Sequence, residues 1–113
     1  METPAARFGL PPFTYQTLVA ELARYPQIER VVVFGSRAKG THRPGSDIDL
    51  ALLGPHLTPD DEAQLYGWLD DLDLPWFFDV VRYDHLTDAP DLRAHIRRVG
   101  QVLAARPTEA TGA

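Results

Sequence analysis

The sequence predicts an α/β domain of the two-layer α+β type, in which helices pack on one small mixed β-sheet. Three segments, residues 30–34, 47–52 and 76–81, are rich in β-branched, aliphatic or aromatic side chains. The segments around them carry apolar residues at the i, i+3, i+4, i+7 spacing of a helix with one buried face. The predicted order is helix, strand, strand, helix, strand, helix, which is typical of a fold with a single sheet.

Each predicted helix has its own boundary signals. The first starts near Thr14 and ends before the next proline, because the residue before a proline disfavours helical backbone. The second opens at Thr58 and Pro59, where the threonine can cap free amides and the proline lacks an N–H that would have no partner. The last begins near Pro90 and ends before Pro107. Its buried face is predicted to carry Leu92, Ile96, Val99 and Leu103.

The three predicted strands differ in pattern. Residues 30–34 become a continuous apolar run after the first position, which suits a central strand covered on both faces. Residues 47–52 alternate, which places both aspartates of this segment on one face and the larger aliphatic side chains on the other. Residues 76–81 are bulky and apolar except for Asp79. A lone carboxylate in such a segment requires an explanation.

Length and composition exclude several classes of protein. At 113 residues the chain is expected to form one domain, which can bury about 65% of its unfolded surface. Its net charge of -5 has the wrong sign for a protein that holds nucleic acid by neutralising phosphates. Without cysteine it has neither disulfides nor thiolate metal sites. It shows no signal peptide and no membrane span, so we expect a cytoplasmic protein without membrane contact.

We predict a single domain over residues 13–106. Residues 1–12 contain three prolines and no helical or strand periodicity, which favours a flexible N-terminal arm. Residues 107–113 form a small, polar tail.

A Gly-Ser pair followed by two aspartates dominates the chemistry of the sequence. Gly35 and Ser36 follow the first strand directly, ten residues separate them from Asp47, and Asp49 lies two positions further on. Residues two apart on a strand lie about 6.7 Å apart and point the same way, so the two carboxylates form a paired acidic surface. At an effective dielectric of about 20 such anions repel by roughly 3 kcal/mol unless a cation lies between them. Carboxylate ligands suit Mg²⁺ or Mn²⁺.

Other residues can complete a nucleotide site around these aspartates. Asp79 supplies a third carboxylate if its strand pairs beside that of Asp47 and Asp49, and three carboxylates can hold two metal ions about 4 Å apart. The predicted reaction is attack of a hydroxyl on the α-phosphate of a nucleoside triphosphate. The catalytic and metal-binding residues are predicted to be Asp47, Asp49 and Asp79. The nucleotide is predicted to contact Gly35, Ser36, Arg37, Lys39 and Ser46, with further positive charge from Arg43.

The spacing of this motif, Gly-Ser, ten residues, Asp-x-Asp, resembles the signature of the DNA polymerase β-like nucleotidyltransferase superfamily, and its surroundings resemble the minimal nucleotidyltransferase branch. The resemblance covers residues 15–105, including a preceding helix, a third aspartate on a later strand and a closing helix. It implies the polymerase β-like nucleotidyltransferase fold, with Gly35 and its serine at the triphosphate of ATP. It also implies Asp47 and Asp49 on two Mg²⁺ ions, and Asp79 as third ligand and base.

The resemblance further implies a partner. Minimal nucleotidyltransferases are commonly paired with an all-helical HEPN protein as antitoxin and toxin, and some transfer AMP from ATP to a tyrosine of that partner, which silences its ribonuclease activity. A chain this small has no second domain to hold an acceptor, so the acceptor is expected on the partner. Two alternatives stay open: an antitoxin that acts by binding alone, and a nucleotidyltransferase that modifies a small molecule such as an aminoglycoside.

Overall fold

The computed structural model describes residues 8–41, 43 and 45–105, and a four-stranded mixed sheet lies at its centre. The strands are β1 (Arg30–Phe34), β2 (Ile48–Leu53), β3 (Phe78–Arg82) and β4 (Gln101–Ala105), in the spatial order β3-β2-β1-β4. The helices are α1 (Pro12–Leu22), α2 (Ser36–Lys39), α3 (Pro59–Asp71) and α4 (Pro90–Val99), with a 3₁₀ turn at Tyr83–His85. The predicted fold class, a small mixed sheet with helices packed on it, is confirmed.

The strand directions bring the first residues of β2 and β3 to the same end of the sheet. β1 runs antiparallel to both β2 and β4, whereas β2 and β3 run parallel. Parallel neighbours need a crossover connection, and α3 provides it between β2 and β3. As a result, the ends of β2 and β3 at which their aspartates lie are adjacent.

Apolar side chains cover both faces of the sheet. β1 is central, and its residues 31–34 are buried, as predicted for a strand covered on both faces. The larger core, on the face covered by α1 and α3, includes Leu18, Leu22, Val31, Val33, Leu50, Leu52, Leu65 and Leu69. A smaller core on the opposite face joins α4 to the sheet through Val32, Phe34, Ala51 and Ile96.

The end of the last helix differs from the sequence prediction. The helix ends at Val99, and the segment predicted to continue it forms β4, which pairs with β1. Gly100 adopts an extended backbone, and a Cβ there would collide with the carbonyl of Ile96 and with Val32. Leu103 continues the helical spacing of Leu92 and Ile96 in sequence, yet it packs in the larger core, on the other face of the sheet from Ile96. Residues 101–105 form hydrogen bonds with the free side of β1. This pairing outweighs the helical spacing of the apolar residues in the sequence.

The amino-terminal segment also differs from the predicted arm. Phe8 is fully buried and Leu10 is nearly so, and both belong to the larger core. The packed part of the chain therefore begins before the predicted boundary at residue 12, because these two apolar side chains enter the core without regular structure. The rest of the arm, residues 1–7, and the predicted tail, 107–113, lie outside the described residues. None of the helices in the described part of the chain is long and apolar enough to span a membrane.

The cap of α3 provides a stability prediction. Thr58 Oγ1 accepts a hydrogen bond from the Asp61 N–H at 3.1 Å, and the Asp61 carboxylate accepts one from the Thr58 N–H at 3.0 Å. We expect Thr58→Ala to lower the free energy of unfolding by about 1 kcal/mol, because a helix amide loses its partner. Urea denaturation measures this loss, and Thr58→Ser, which keeps the hydroxyl, should lose much less. Equal losses in the two variants would contradict the capping role.

Candidate active site

Two of the predicted catalytic carboxylates lie side by side on neighbouring strands. Asp49 of β2 pairs in register with Asp79 of β3, and with Phe34 of β1 on its other side. Asp47 lies directly before β2. Because paired strands lie about 4.8 Å apart and side chains in register share a face, the Asp49 and Asp79 side chains leave the same face of the sheet. The pairing on which a third carboxylate depends, with the Asp79 strand beside the Asp49 strand, is present in the structure.

The carboxyl group of Asp49 has a raised pKa. Burial is the largest cause, the charges of Asp79 and Asp47 add to it, and Arg37 opposes it, with the result that the pKa rises from 3.8 to about 6. Asp49 is half-buried, whereas Asp47 and Asp79 are exposed. At pH 7 the site therefore concentrates negative charge at a partly desolvated position, where a bound cation would relieve the repulsion.

This raised pKa predicts how stability changes with pH. The folded protein retains the Asp49 proton up to about pH 6, whereas the unfolded chain releases it near its ordinary value of 3.8. The stability that the protonated Asp49 carboxyl group contributes is fully present below the pKa of the unfolded chain, 3.8, and is lost as the pH rises through the pKa of the folded protein, about 6. We therefore expect Asp49→Asn to gain stability relative to wild type, by about 1 kcal/mol after allowance for solvent screening, between pH values of about 3.5 and 7.

Urea denaturation of the metal-free proteins at the two pH values measures this gain. Asp71→Asn, at an exposed position near the end of α3, serves as the control for the loss of a negative charge. A stability difference between Asp49→Asn and wild type that is the same at both pH values would contradict the prediction.

Gly35 connects β1 to α2 directly against Asp49. Its backbone has φ 73° and ψ −152°, a region that is essentially restricted to glycine. A Cβ at this position would overlap the Asp49 carboxylate at Oδ2. Glycine is therefore required here both for its backbone conformation and for the close approach of β1 to the carboxylate.

The short helix α2 arises from the Gly-Ser motif. It covers Ser36–Lys39 and ends at Gly40 in the left-handed conformation. Ser36 is half-buried at its first position, and Lys39 is exposed at its last. The sequence does not predict this helix, because four residues are too few to show helical periodicity.

A compact turn leads from α2 to Asp47. The Ser46 hydroxyl accepts a hydrogen bond from the Arg43 N–H at 2.8 Å, and the Ser46 N–H donates to the Arg43 carbonyl at 3.0 Å. Gly45 has a positive φ of 86°, which allows the chain to reverse between these residues. The turn leaves Ser46 partly buried beside the aspartates, and Arg43 exposed.

Arg37 occupies a different environment from the one predicted. It is 1% exposed, whereas the prediction of a phosphate contact requires an accessible guanidinium. Its Nη2 donates to the Ser46 carbonyl at 2.8 Å, its Nη1 donates to the Phe8 carbonyl at 2.7 Å, and the guanidinium lies 5.5 Å from the centre of the Trp76 ring. The structure places Arg37 against the turn that Arg43 and Ser46 close, where its N–H groups bind backbone oxygens.

Sequence patterns do not identify two parts of this arrangement. Trp76 and the carbonyl group of Phe8 both contact Arg37, although they are far from it in the chain. The apolar pair Phe8 and Leu10 within an otherwise irregular segment is a signal that could have indicated packing there. No comparable signal marks Trp76, because an aromatic residue in an apolar segment predicted as a strand is an ordinary core residue.

The donor set fits a hard divalent cation. Mg²⁺ is usually bound by one or two carboxylates, with water and substrate phosphates completing its shell. Asp47, Asp49 and Asp79 offer oxygen ligands, and the pKa of Asp49 is raised first by burial and then by the charges of the other two carboxylates. Across residues 8–41, 43 and 45–105, no three acidic, histidine or cysteine side chains converge into a preformed cage.

Known proteins share this architecture. A crystal structure of a toxin–antitoxin with AMP-PNP is 25% identical, with a TM-score of 0.62, over 80% of this chain and 73% of that one. A complex from Shewanella oneidensis, of a tri-AMPylated HEPN toxin with an MNT antitoxin, is 21% identical, with a TM-score of 0.57, over 83% and 72%. A putative nucleotidyltransferase from Sulfolobus solfataricus is 18% identical, with a TM-score of 0.55, over 94% and 91%. The last two similarities support the fold alone.

The family follows from a match over most of the chain. No curated protein sequence matches it. The family model for polymerase β nucleotidyltransferases matches residues 16–109, a range that contains the Gly-Ser turn and all three aspartates. With its four-stranded mixed sheet and this match, the chain belongs to the polymerase β nucleotidyltransferase family.

Proposed function

We propose that this protein is a Mg²⁺-dependent nucleotidyltransferase antitoxin that transfers AMP from ATP to a tyrosine hydroxyl of a cognate HEPN ribonuclease toxin and thereby neutralises it. The observation that carries the proposal is the parallel pairing of β2 and β3, which sets Asp79 in register with Asp49 beside the Gly35 turn. Asp79, the third carboxylate, thus lies near the Gly35–Ser36 segment that we propose as the phosphate site. The similarity to a toxin–antitoxin structure with AMP-PNP supports the choice of an adenine nucleotide.

One set of residues in this chain binds the phosphates, and another holds the metal and accepts a proton. Gly35 and Ser36 hold the triphosphate through backbone amides and the serine hydroxyl, and the exposed Lys39 contributes positive charge. Ser46 lines the same turn. Asp47, Asp49 and Asp79 would hold Mg²⁺. When bound, the metal neutralises charge on the leaving pyrophosphate and helps to ionise the attacking hydroxyl.

The reaction is an in-line displacement at the α-phosphorus. The acceptor oxygen forms a bond to the α-phosphorus, and the bond from that phosphorus to the bridging oxygen of pyrophosphate breaks. A carboxylate oxygen of Asp79, which is exposed on the edge strand β3, takes the proton of the acceptor hydroxyl. Because Asp79 lies at the sheet edge, an acceptor on another molecule can reach it.

A protein partner supplies the acceptor. The described chain consists of the sheet, its helices and their connections, without a second lobe that could enclose an acceptor. The similarity to a toxin–antitoxin structure with AMP-PNP supports a toxin as the partner, and the HEPN toxin of the Shewanella oneidensis complex gives the class that we propose for it. Specificity for the acceptor would then be set by the surface that the two proteins share.

The decisive experiment is the intact mass of a co-purified HEPN partner after incubation with ATP and Mg²⁺. We expect its mass to increase by whole AMP units. Modification of a small hydroxylated compound by the isolated protein, with the partner's mass unchanged, would contradict the toxin substrate. Full neutralisation of the partner by the Asp47→Asn, Asp49→Asn double variant would indicate an antitoxin that acts by binding alone.

A further inference from the structure

A buried arginine with no carboxylate within ion-pair distance lies against the turn that Arg43 and Ser46 close. Arg37 is 1% exposed, and among the described residues it has no carboxylate within ion-pair distance. A buried charge is unfavourable unless its hydrogen bonds are well satisfied, and an apolar side chain would fill such a position without that penalty. The presence of an arginine therefore indicates a requirement beyond packing.

Its first contact orients the backbone of Asp47. Arg37 donates to the Ser46 carbonyl from Nη2 at 2.8 Å and from Nε at 3.3 Å, a two-donor grip on one oxygen. The Ser46 carbonyl and the Asp47 N–H belong to one rigid peptide plane. Holding the oxygen therefore holds the plane from which Asp47 projects.

A second contact reaches the approach to Asp79. The Arg37 guanidinium lies 5.5 Å from the centre of the Trp76 ring, within the range of a cation–π interaction. The next residue, Phe77, accepts a hydrogen bond at its carbonyl from the Ile48 N–H at 2.9 Å. The segment that leads into β3 is thus joined both to Arg37 and to the start of β2.

The remaining donors anchor the arginine at its far side. Nη1 donates to the Phe8 carbonyl at 2.7 Å and to the Gly9 carbonyl at 3.4 Å. Phe8 itself is fully buried in the larger core, so this anchor belongs to a packed segment. One planar guanidinium can serve several oxygens at once because its five N–H groups point in fixed directions.

We infer that Arg37 is a positioning residue that fixes the Gly35–Ser36 segment, the Asp47 peptide and the approach to Asp79 relative to one another, with the Phe8–Gly9 backbone as its anchor. The inference rests on the proposed function. In place of the predicted contact with the nucleotide, Arg37 acts on catalysis through the positions of the aspartates. Residue 37 follows Ser36 directly, so one side chain joins both halves of the motif.

The test is Arg37→Lys, which keeps the positive charge but cannot serve Ser46, Phe8 and Trp76 together. We expect kcat for AMP transfer to fall about 100-fold, since a small displacement of catalytic groups has effects of this size. KM for ATP should change less than about threefold, because a misaligned site loses transition-state stabilisation more than ground-state binding. Arg24→Lys, at an exposed arginine in a surface pair with Glu21, should leave both constants unchanged.

A second measurement is independent of turnover. Titration with Mn²⁺ alone, followed by electron paramagnetic resonance, should show an affinity about tenfold weaker in Arg37→Lys than in wild type, because groups that orient metal ligands have effects of this size. Trp76→Leu removes the ring but leaves the hydrogen bonds of Arg37, so it should lower kcat in the same direction by a smaller factor. It serves as the second variant if Arg37→Lys does not fold by circular dichroism.

Two results would overturn the inference while the proposed function stands. One is unchanged kcat and unchanged Mn²⁺ affinity in folded Arg37→Lys. The other is a raised KM for ATP with unchanged kcat, which would restore Arg37 as a nucleotide contact. If wild-type protein neither transfers AMP nor binds Mn²⁺, the proposed function fails first, and the inference fails with it.

Discussion

Replacing Asp49 with asparagine is expected to reduce AMP transfer on the order of 10³-fold while leaving the protein at least as stable as wild type at pH 7. The rate loss follows because the variant lacks the central carboxylate of the site, and metal-assisted charge stabilisation contributes several kcal/mol to such reactions. The stability follows because the Asp49 carboxylate is half-buried beside two other acids, with its pKa raised to about 6. A charged carboxylate at a position where it opposes folding points to a functional requirement.

The rate of partner modification and the urea midpoint, measured on the same preparations, test both halves of this prediction. Asp71→Asn, which removes a carboxylate from an exposed helix position, should change neither the rate nor the midpoint appreciably. Undiminished transfer by Asp49→Asn would exclude Asp49 as a metal ligand. A large loss of stability in that variant would instead make the carboxylate a structural group.

Gly35→Ala is expected to destabilise the protein by about 3 kcal/mol and to abolish most of the transferase activity. The backbone at Gly35 lies in a region that costs non-glycine residues about 1–3 kcal/mol. The new methyl group would also overlap the Asp49 carboxylate, so the carboxylate or β1 must move. Displacement of Asp49, the proposed metal ligand, by an ångström is enough to lower a rate about 100-fold.

Gly40→Ala provides a matched control for this prediction. Gly40 also has a positive φ, 74°, but a Cβ there would meet no atom within 4 Å. The Gly40→Ala variant should lose only about 1–2 kcal/mol of stability, because alanine is strained in the left-handed backbone conformation, and the folded variant should keep its activity. Thermal unfolding and single-turnover assays separate the two effects. Equal activity in the two variants would mean that the close contact with Asp49 has no catalytic role.

The parts of this protein that were predictable from sequence are those encoded by neighbouring residues. The central strand, the cap of the helix that begins after Thr58, and the alternation along β2 that puts Asp49 and Leu50 on opposite faces all depend on local spacing. Each was confirmed because such patterns act within one element and need no knowledge of the rest of the fold. The Gly-Ser turn and its ten-residue spacing to the aspartates belong to the same class.

The features that sequence patterns missed depend on residues far apart in the chain. Residues 101–105 continue a helical period and nevertheless form a strand, since the open edge of β1 offers backbone partners and Gly100 ends the helix. Phe8 and Leu10 lie in an irregular segment but enter the core. In each case a tertiary contact outweighs a local preference.

The sequence by itself determined the fold class and the chemistry of the motif, a glycine turn and carboxylates at a spacing that favours nucleotidyl transfer. Only the tertiary structure decided that β3 lies parallel to β2, with Asp79 in register with Asp49, and that Arg37 is buried under the turn instead of facing a phosphate. The physical reason is that strand register and burial are set by packing of the whole chain. A local pattern specifies which residues are present, but the neighbours that surround them come from every element of the fold.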